Sequence, residues 1–162
     1  MKKYILLFAL LAAVLPGCKK KGGGAKSDTY YFRGRTDGTL IASTSGITGS
    51  VRTSPVSQLT IFGRYGAATN FGGFDLSLVP FNGPGTYPLG RMEQSLGLFR
   101  LDKQPLANYV YSSATEGSSG SVTVTSFSNN IVSGKFEFTA KNSLGESKTV
   151  TEGEFEVKVE NQ

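Results

Sequence analysis

SGKFEFTA at residues 133–140 and GEFEVKVE at 153–160 set the fold. In the first, Phe136, Phe138 and Ala140 alternate with Lys135, Glu137 and Thr139; in the second, Phe155, Val157 and Val159 alternate with Glu154, Glu156, Lys158 and Glu160. A period of two places the apolar set on one face and the charged set on the other. An antiparallel strand needs this arrangement when one side covers a core and the other meets water. Pairing the two strands brings Lys135 and Lys158 among the glutamates.

The alternation slips at two places nearby. In GSVTVTSF (120–127) Val122 and Val124 share a face, but Phe127 lies an odd number of residues further on; TVTEGEF (149–155) does the same between Val150 and Phe155. Both rings reach the core side only if each strand carries one extra residue. Gly153 is expected to form the second bulge, because glycine adopts positive φ at little cost.

Towards the amino terminus, segments rich in Thr, Val, Phe and Tyr at 29–35, 39–43, 49–53, 58–64, 74–80, 98–101 and 108–113 read as further strands. Turn-forming pairs divide them, among them Asp37-Gly38, Ser45-Gly46, Ser54-Pro55, Asn82-Gly83 and Glu116-Gly117. No segment carries a sustained helical apolar period. Residues 28–162 suit one domain. About eight to eleven short strands in that length imply an all-β, antiparallel β-sandwich or small barrel, a calycin-like barrel being the alternative.

The first 27 residues are of another kind. Met1, Lys2 and Lys3 precede the apolar run YILLFALLAAVLP (4–16), and Gly17 stands before Cys18. A basic start, a short apolar centre and a small residue at its end describe a secretory signal over residues 1–17. The run is 13 residues long, short of the roughly 20 that a membrane-spanning helix needs. Cys18 is the only cysteine in 162 residues and histidine is absent, so a disulfide, a zinc site and an imidazole-activated thiol all fit poorly. Leu15-Pro16-Gly17-Cys18 resembles the lipobox of bacterial lipoprotein signal peptides. The resemblance implies cleavage after Gly17 and acyl chains on Cys18. With Lys19 rather than aspartate next, it also implies the outer membrane as destination.

CKKKGGGAKS (18–27) reads as a tether between that anchor and the domain. It is no phosphate loop, because the pattern G-x-x-x-x-G-K-[ST] requires glycine where this chain has Lys20 and Ala25. The formal charge of the whole chain is +5, but residues 28–162 hold six Arg and five Lys against twelve Asp and Glu, a net charge of −1. The basic excess thus belongs to the leader and tether. Sequence-independent nucleic-acid binding rests on clustered Lys and Arg, so no nucleic-acid partner is expected. Beside anionic headgroups, each tether lysine contributes about 1 kcal/mol.

FRGRTDGTLIAS (32–43), GPGTYPLG (83–90), GSVTVTSFSNNIVSGKFEFTA (120–140) and VTEGEFEVKV (150–159) form a further pattern. In order and spacing they resemble a family of small uncharacterised lipoproteins of Bacteroidota type, built as one all-β domain behind a lipobox. The resemblance implies fold and export, and it carries no functional residue with it.

An enzyme without histidine would have to use carboxylates, Ser, Lys or Tyr. Glu152, Glu154, Glu156 and Glu160 form the densest carboxylate stripe. Opposed carboxylates about 5–9.5 Å apart hydrolyse glycosides, but alternate glutamates along one strand face read as a solvated surface. No D-x-[DN]-x-[DN]-G calcium loop occurs, and Asp37 and Asp75, both near glycines, read as turn residues. No enzyme activity, metal or cofactor is expected.

Of the tyrosines, Tyr109 and Tyr111 share a strand face and read as core. GRYGAATNFGGFD (63–75) reads as a long connection in which Arg64, Tyr65, Asn70 and Phe71 are the candidate ligand-binding residues, four glycines letting the backbone approach closely. The sequence therefore predicts an envelope protein held at the membrane through Cys18. Its domain is expected to bind a glycan, peptide or envelope protein through loops or an open sheet edge. The alternative is a calycin-like barrel enclosing a small apolar ligand.

Overall fold

The computed structural model describes residues 30–43, 46–67 and 70–162, apart from the side chains of 67, 70 and 71. Along the chain come β1 (Tyr31–Thr36), β2 (Thr39–Ser43), β3 (Thr48–Arg52), β4 (Gln58–Ala67), β5 (Asn70–Leu78), β6 (Gly85–Gly90) and β7 (Leu96–Arg100). A 3-10 turn at Leu106–Tyr109 leads into β8 (Val110–Ser112), and β9 (Ser119–Ser128), β10 (Ile131–Lys141), β11 (Ser147–Lys158) and β12 (Glu160–Asn161) complete the order. Among the described residues, two hairpins close through two residues each. φ is 49° and 80° at Asp37-Gly38, and 52° and 58° at Asn129-Asn130, the left-handed pair that matches the twist of the flanking strands. Asparagine enters that region more readily than most residues, which makes Asn129-Asn130 a turn without glycine.

Hydrogen bonding links the strands in the order β12-β3-β4-β5-β7-β8-β10-β11-β1-β2, with β9 bonded to β10 and β6 to β9. Near its two ends lie β2 and β3, which are successive in the chain, and β2 also lies close to β4. The sheet therefore curls around one core in the manner of an opened barrel. The strand pairs are antiparallel apart from β12, which runs parallel to β3 with Glu160 beside Ser50, so the sheet is mixed rather than purely antiparallel.

Both expected slips are present. Ser133 faces Ser126 while Gly134 faces Val124, leaving Thr125 as the extra residue in β9. Phe136 faces Gly153 while Phe138 faces Val150, so β11 carries the second irregularity. The residue that bends there is not the expected glycine: Glu152 holds the positive φ, at 50°. Gly153 is required for space instead, because a Cβ at that position would run into the carbonyl and ring of Phe136.

The same economy of space runs through the core. A Cβ on Gly63 would come within 2.5 Å of the Phe32 ring, and one on Gly134 within 2.5 Å of the Phe155 ring. Glycines inside strands thus make room for rings on their neighbours, and the rings meet each other in turn. Centroids lie 5.2 Å apart for Phe32 and Phe136, and 5.3 Å apart both for Phe74 and Phe136 and for Phe74 and Phe99, within the range of favourable aromatic contacts. On the opposite face Lys135, Glu154 and Arg33 line up across β10, β11 and β1, placing Lys135 beside a glutamate as expected.

Candidate functional site

The segment 63–75 is not a loop. Apart from 68–69 it lies in β4 and β5, which pair in continuous register from Leu59 opposite Leu78 to Ala67 opposite Asn70. Close approach of the two backbones makes this hairpin: a Cβ on Gly73 would collide with the carbonyl of Gly63, and one on Gly72 with the ring of Tyr65. The glycines that suggested a loop are the condition for the strands to pair.

The hairpin separates the four candidate residues. Arg64 and Tyr65 are adjacent in a strand, so they project from opposite faces of the sheet. Asn70 and Phe71 pair in register with Ala67 and Gly66, and their side chains lie outside the described residues, as do Cys18 and Gly17. The Tyr65 hydroxyl receives the backbone N–H of Asp102, and burial pushes its pKa upward. Oδ1 of Asp102 is buried without a hydrogen-bond partner.

Arg64 belongs to a more concentrated site on the outer face. Phe62, Asp75, Leu98 and Ser112 form one row across β4, β5, β7 and β8. Arg64, Gly73, Arg100 and Val110 form the next. Two arginines therefore stand on either side of a residue with no side chain, both within reach of Asp75. Nη2 of Arg100 donates to Oδ2 of Asp75. The carboxylate is buried, with 9% of its side chain exposed against 21% for Arg100. Burial raises the Asp75 pKa, opposed by the charges of Arg100 and then Arg64. The turn role expected for Asp75 is thus corrected, since it sits mid-strand, whereas Asp37 does occupy a turn.

Around this cluster Phe62, Leu96, Leu98 and Val110 are all half-buried on what should be a water-facing surface. Phe62 also walls a groove of about 390 Å³ shared with Ile47, Thr48, Lys158, Glu160 and Gln162. Guanidinium groups above apolar and aromatic side chains suit the recognition of carboxylates or hydroxyl-rich ligands, since each carries five N–H donors in a fixed plane. The composition matches the Arg and aromatic enrichment of interface centres. One signal in the sequence pointed here: Asp75 interrupts the apolar run FDLSLV (74–79), and a lone carboxylate in such a run needs a buried partner.

The remaining candidates have structural roles. Glu152 pairs with Arg35 at 3.0 Å and Glu154 with Arg33 at 2.5 Å, on exposed strand faces. Tyr111 is buried in the core and donates to Glu146. Tyr109 instead lies in the 3-10 turn beneath Nζ of Lys103, 5.7 Å from its ring centre. The tyrosines do not form a single platform. Among the described residues, no group of three or more His, Cys, Asp or Glu is placed to hold a metal ion.

The family model for a domain of unknown function (DUF6252) matches residues 28–158. No curated protein and no solved structure matches the chain.

Proposed function

The chain belongs to the DUF6252 family, and from that premise we propose that it is a lipid-anchored envelope protein whose β-domain is a non-enzymatic binding module. The observation that carries the proposal is a division of labour along the chain. The family domain begins at residue 28, and the ten residues 18–27 separate it from the lipobox-like Leu15-Pro16-Gly17-Cys18. Acylation and folding then involve different residues. More than one acyl chain anchors a protein stably where a single one does not, and the lipobox resemblance implies several, with the outer membrane as the site.

The binding surface proposed is the outer face around Arg64, Asp75 and Arg100. What supports a module over a barrel enclosing an apolar ligand is the packing of Phe32, Phe74, Phe99, Phe136 and Phe155 inside the curl of the sheet. The proposed ligand is a glycan, peptide or envelope protein with carboxylate or hydroxyl groups for the two guanidiniums.

Membrane fractionation of Cys18→Ser tests the anchor: the variant is expected to leave the membrane fraction, and unchanged retention refutes acylation. A glycan-array and peptide-array screen of residues 28–162 tests the module. Any specific binder should be lost in Arg64→Glu; retention of binding in that variant places the site elsewhere.

A further inference from the structure

The two ends of the curled sheet differ in chemistry. β1 starts at Tyr31 opposite Glu156, close to the end of β11, so the chain enters the domain at the end that carries turns 53–57, 79–84 and 128–131. These turns are linked. The N–H of Phe81 donates to the carbonyl of Ser57 at 3.0 Å, and the hydroxyl of Ser57 donates to the carbonyl of Phe81 at 2.5 Å. The rings of Phe81 and Phe127 meet at 5.4 Å.

None of the residues in these three turns is Asp, Glu, Lys or Arg. Val56 is 45% exposed at this end, and Pro55, Pro80 and Asn82 also face solvent. The charges beside these turns are Arg52, Lys158 and Glu160 at the strand ends, with Arg52 bonded to Gln58 at 2.8 Å, and Glu93, which lines a pocket with Val79 and Pro80. Every described turn at the opposite end carries charge: Asp37, then Asp102 and Lys103, then Glu116, then Glu146. That end also exposes Leu144.

We propose that the uncharged end is the surface on which the domain rests against the lipid headgroups. The proposal rests on the anchoring reading above, and it commits to a membrane surface as occupant. Two observations converge on it. The chain segment leading back to Cys18 joins the domain at this end. The far end is further from that anchor by the length of the sheet: β10 has 11 residues, or about 36 Å at about 3.3 Å per residue. Tethering keeps the near end at high effective concentration beside the bilayer.

The chemistry agrees. Pressing a charged turn against the interface costs desolvation, whereas Val, Pro, Ser and Asn at the headgroup level cost little. Tyr30 and Tyr31 at the entry point are half-buried, and tyrosine is enriched at membrane–water boundaries because its ring is apolar and its tip polar.

The chain has no tryptophan, so a single introduced indole reports alone. Val56→Trp and Asn82→Trp report on the near end, Leu144→Trp on the far end; all three positions are exposed, so folding is preserved. Each full-length, acylated variant is placed in vesicles of phosphatidylethanolamine and phosphatidylglycerol, with and without acyl chains brominated close to the headgroup. Val56→Trp and Asn82→Trp are expected to lose emission to the brominated lipid and to shift to shorter wavelength, while Leu144→Trp does neither. If the protein floats with the vesicles but neither near-end reporter is quenched, or only Leu144→Trp is, the resting surface is wrong and the anchor stands. If it does not float at all, the anchor is refuted and this surface with it.

Discussion

Phe155 lays its ring across Gly134, the residue that faces it on the neighbouring strand. Phe136 stands in the same relation to Gly153. Gly34 differs, because a Cβ there would meet its neighbours at an ordinary 3.4 Å. Gly134→Ala and Gly153→Ala are therefore expected to lose about 1–3 kcal/mol through overpacking, whereas Gly34→Ala stays close to the parent. Urea unfolding of residues 28–162 measures all three. Equal midpoints for Gly34→Ala and Gly134→Ala would show that the ring does not depend on the missing Cβ.

Asp75 is expected to make Arg100 indispensable to the fold. Removing one member of a buried ion pair leaves an uncompensated charge, at a cost of about 3 kcal/mol, so Arg100→Leu should be destabilised on that scale. Adding Asp75→Asn should recover much of the loss, since a neutral amide needs no counter-ion. Additive losses in the two variants would contradict the coupling. The pH dependence has a definite sign. Burial raises the Asp75 pKa, so the folded form holds the proton more tightly than the unfolded chain. The stabilisation is complete below the ordinary aspartate value, about 3.9, and is lost as pH rises through the folded value. Asp75→Asn should therefore gain on the parent as pH rises through that window.

Tyr111 should be a late-titrating tyrosine. Its hydroxyl donates to Oε2 of Glu146 at 3.0 Å, and burial first, then Glu146, pushes its pKa up to about 12. A raised value means stability that is fully present below the ordinary tyrosine pKa of about 10 and lost as pH rises through about 12. Absorbance at the phenolate band should show a last step that Tyr111→Phe removes, and that variant should cost about 1–2 kcal/mol at neutral pH for the lost charge-assisted bond. An unchanged titration curve in Tyr111→Phe would contradict the assignment.

Period-two alternation made β10 and β11 legible in the sequence, and the odd spacing before Phe127 and Phe155 revealed both irregularities. Strand glycines were harder. Gly63, Gly72 and Gly73 read as loop formers because conformational freedom is the familiar use of glycine, while here their lack of a side chain admits a ring or a carbonyl from another strand. β6 was hidden by its Pro88 and flanking glycines, although it lies at a sheet edge where proline is tolerated. Arg64 was visible as a candidate and Asp75 gave a signal only as a lone carboxylate inside an apolar run, whereas Arg100 gave none. Arg100 and Asp75 come together only through the register of β5 against β7, and local sequence does not encode which residues a strand will face.

Acylation of Cys18 is tested most directly by mass spectrometry of the protein extracted from membranes and digested to peptides. The anchored protein gives an amino-terminal peptide that begins at Cys18, lacks residues 1–17 and carries the added mass of acyl chains. An amino-terminal peptide with an unmodified Cys18, or one that retains residues 1–17, would contradict it.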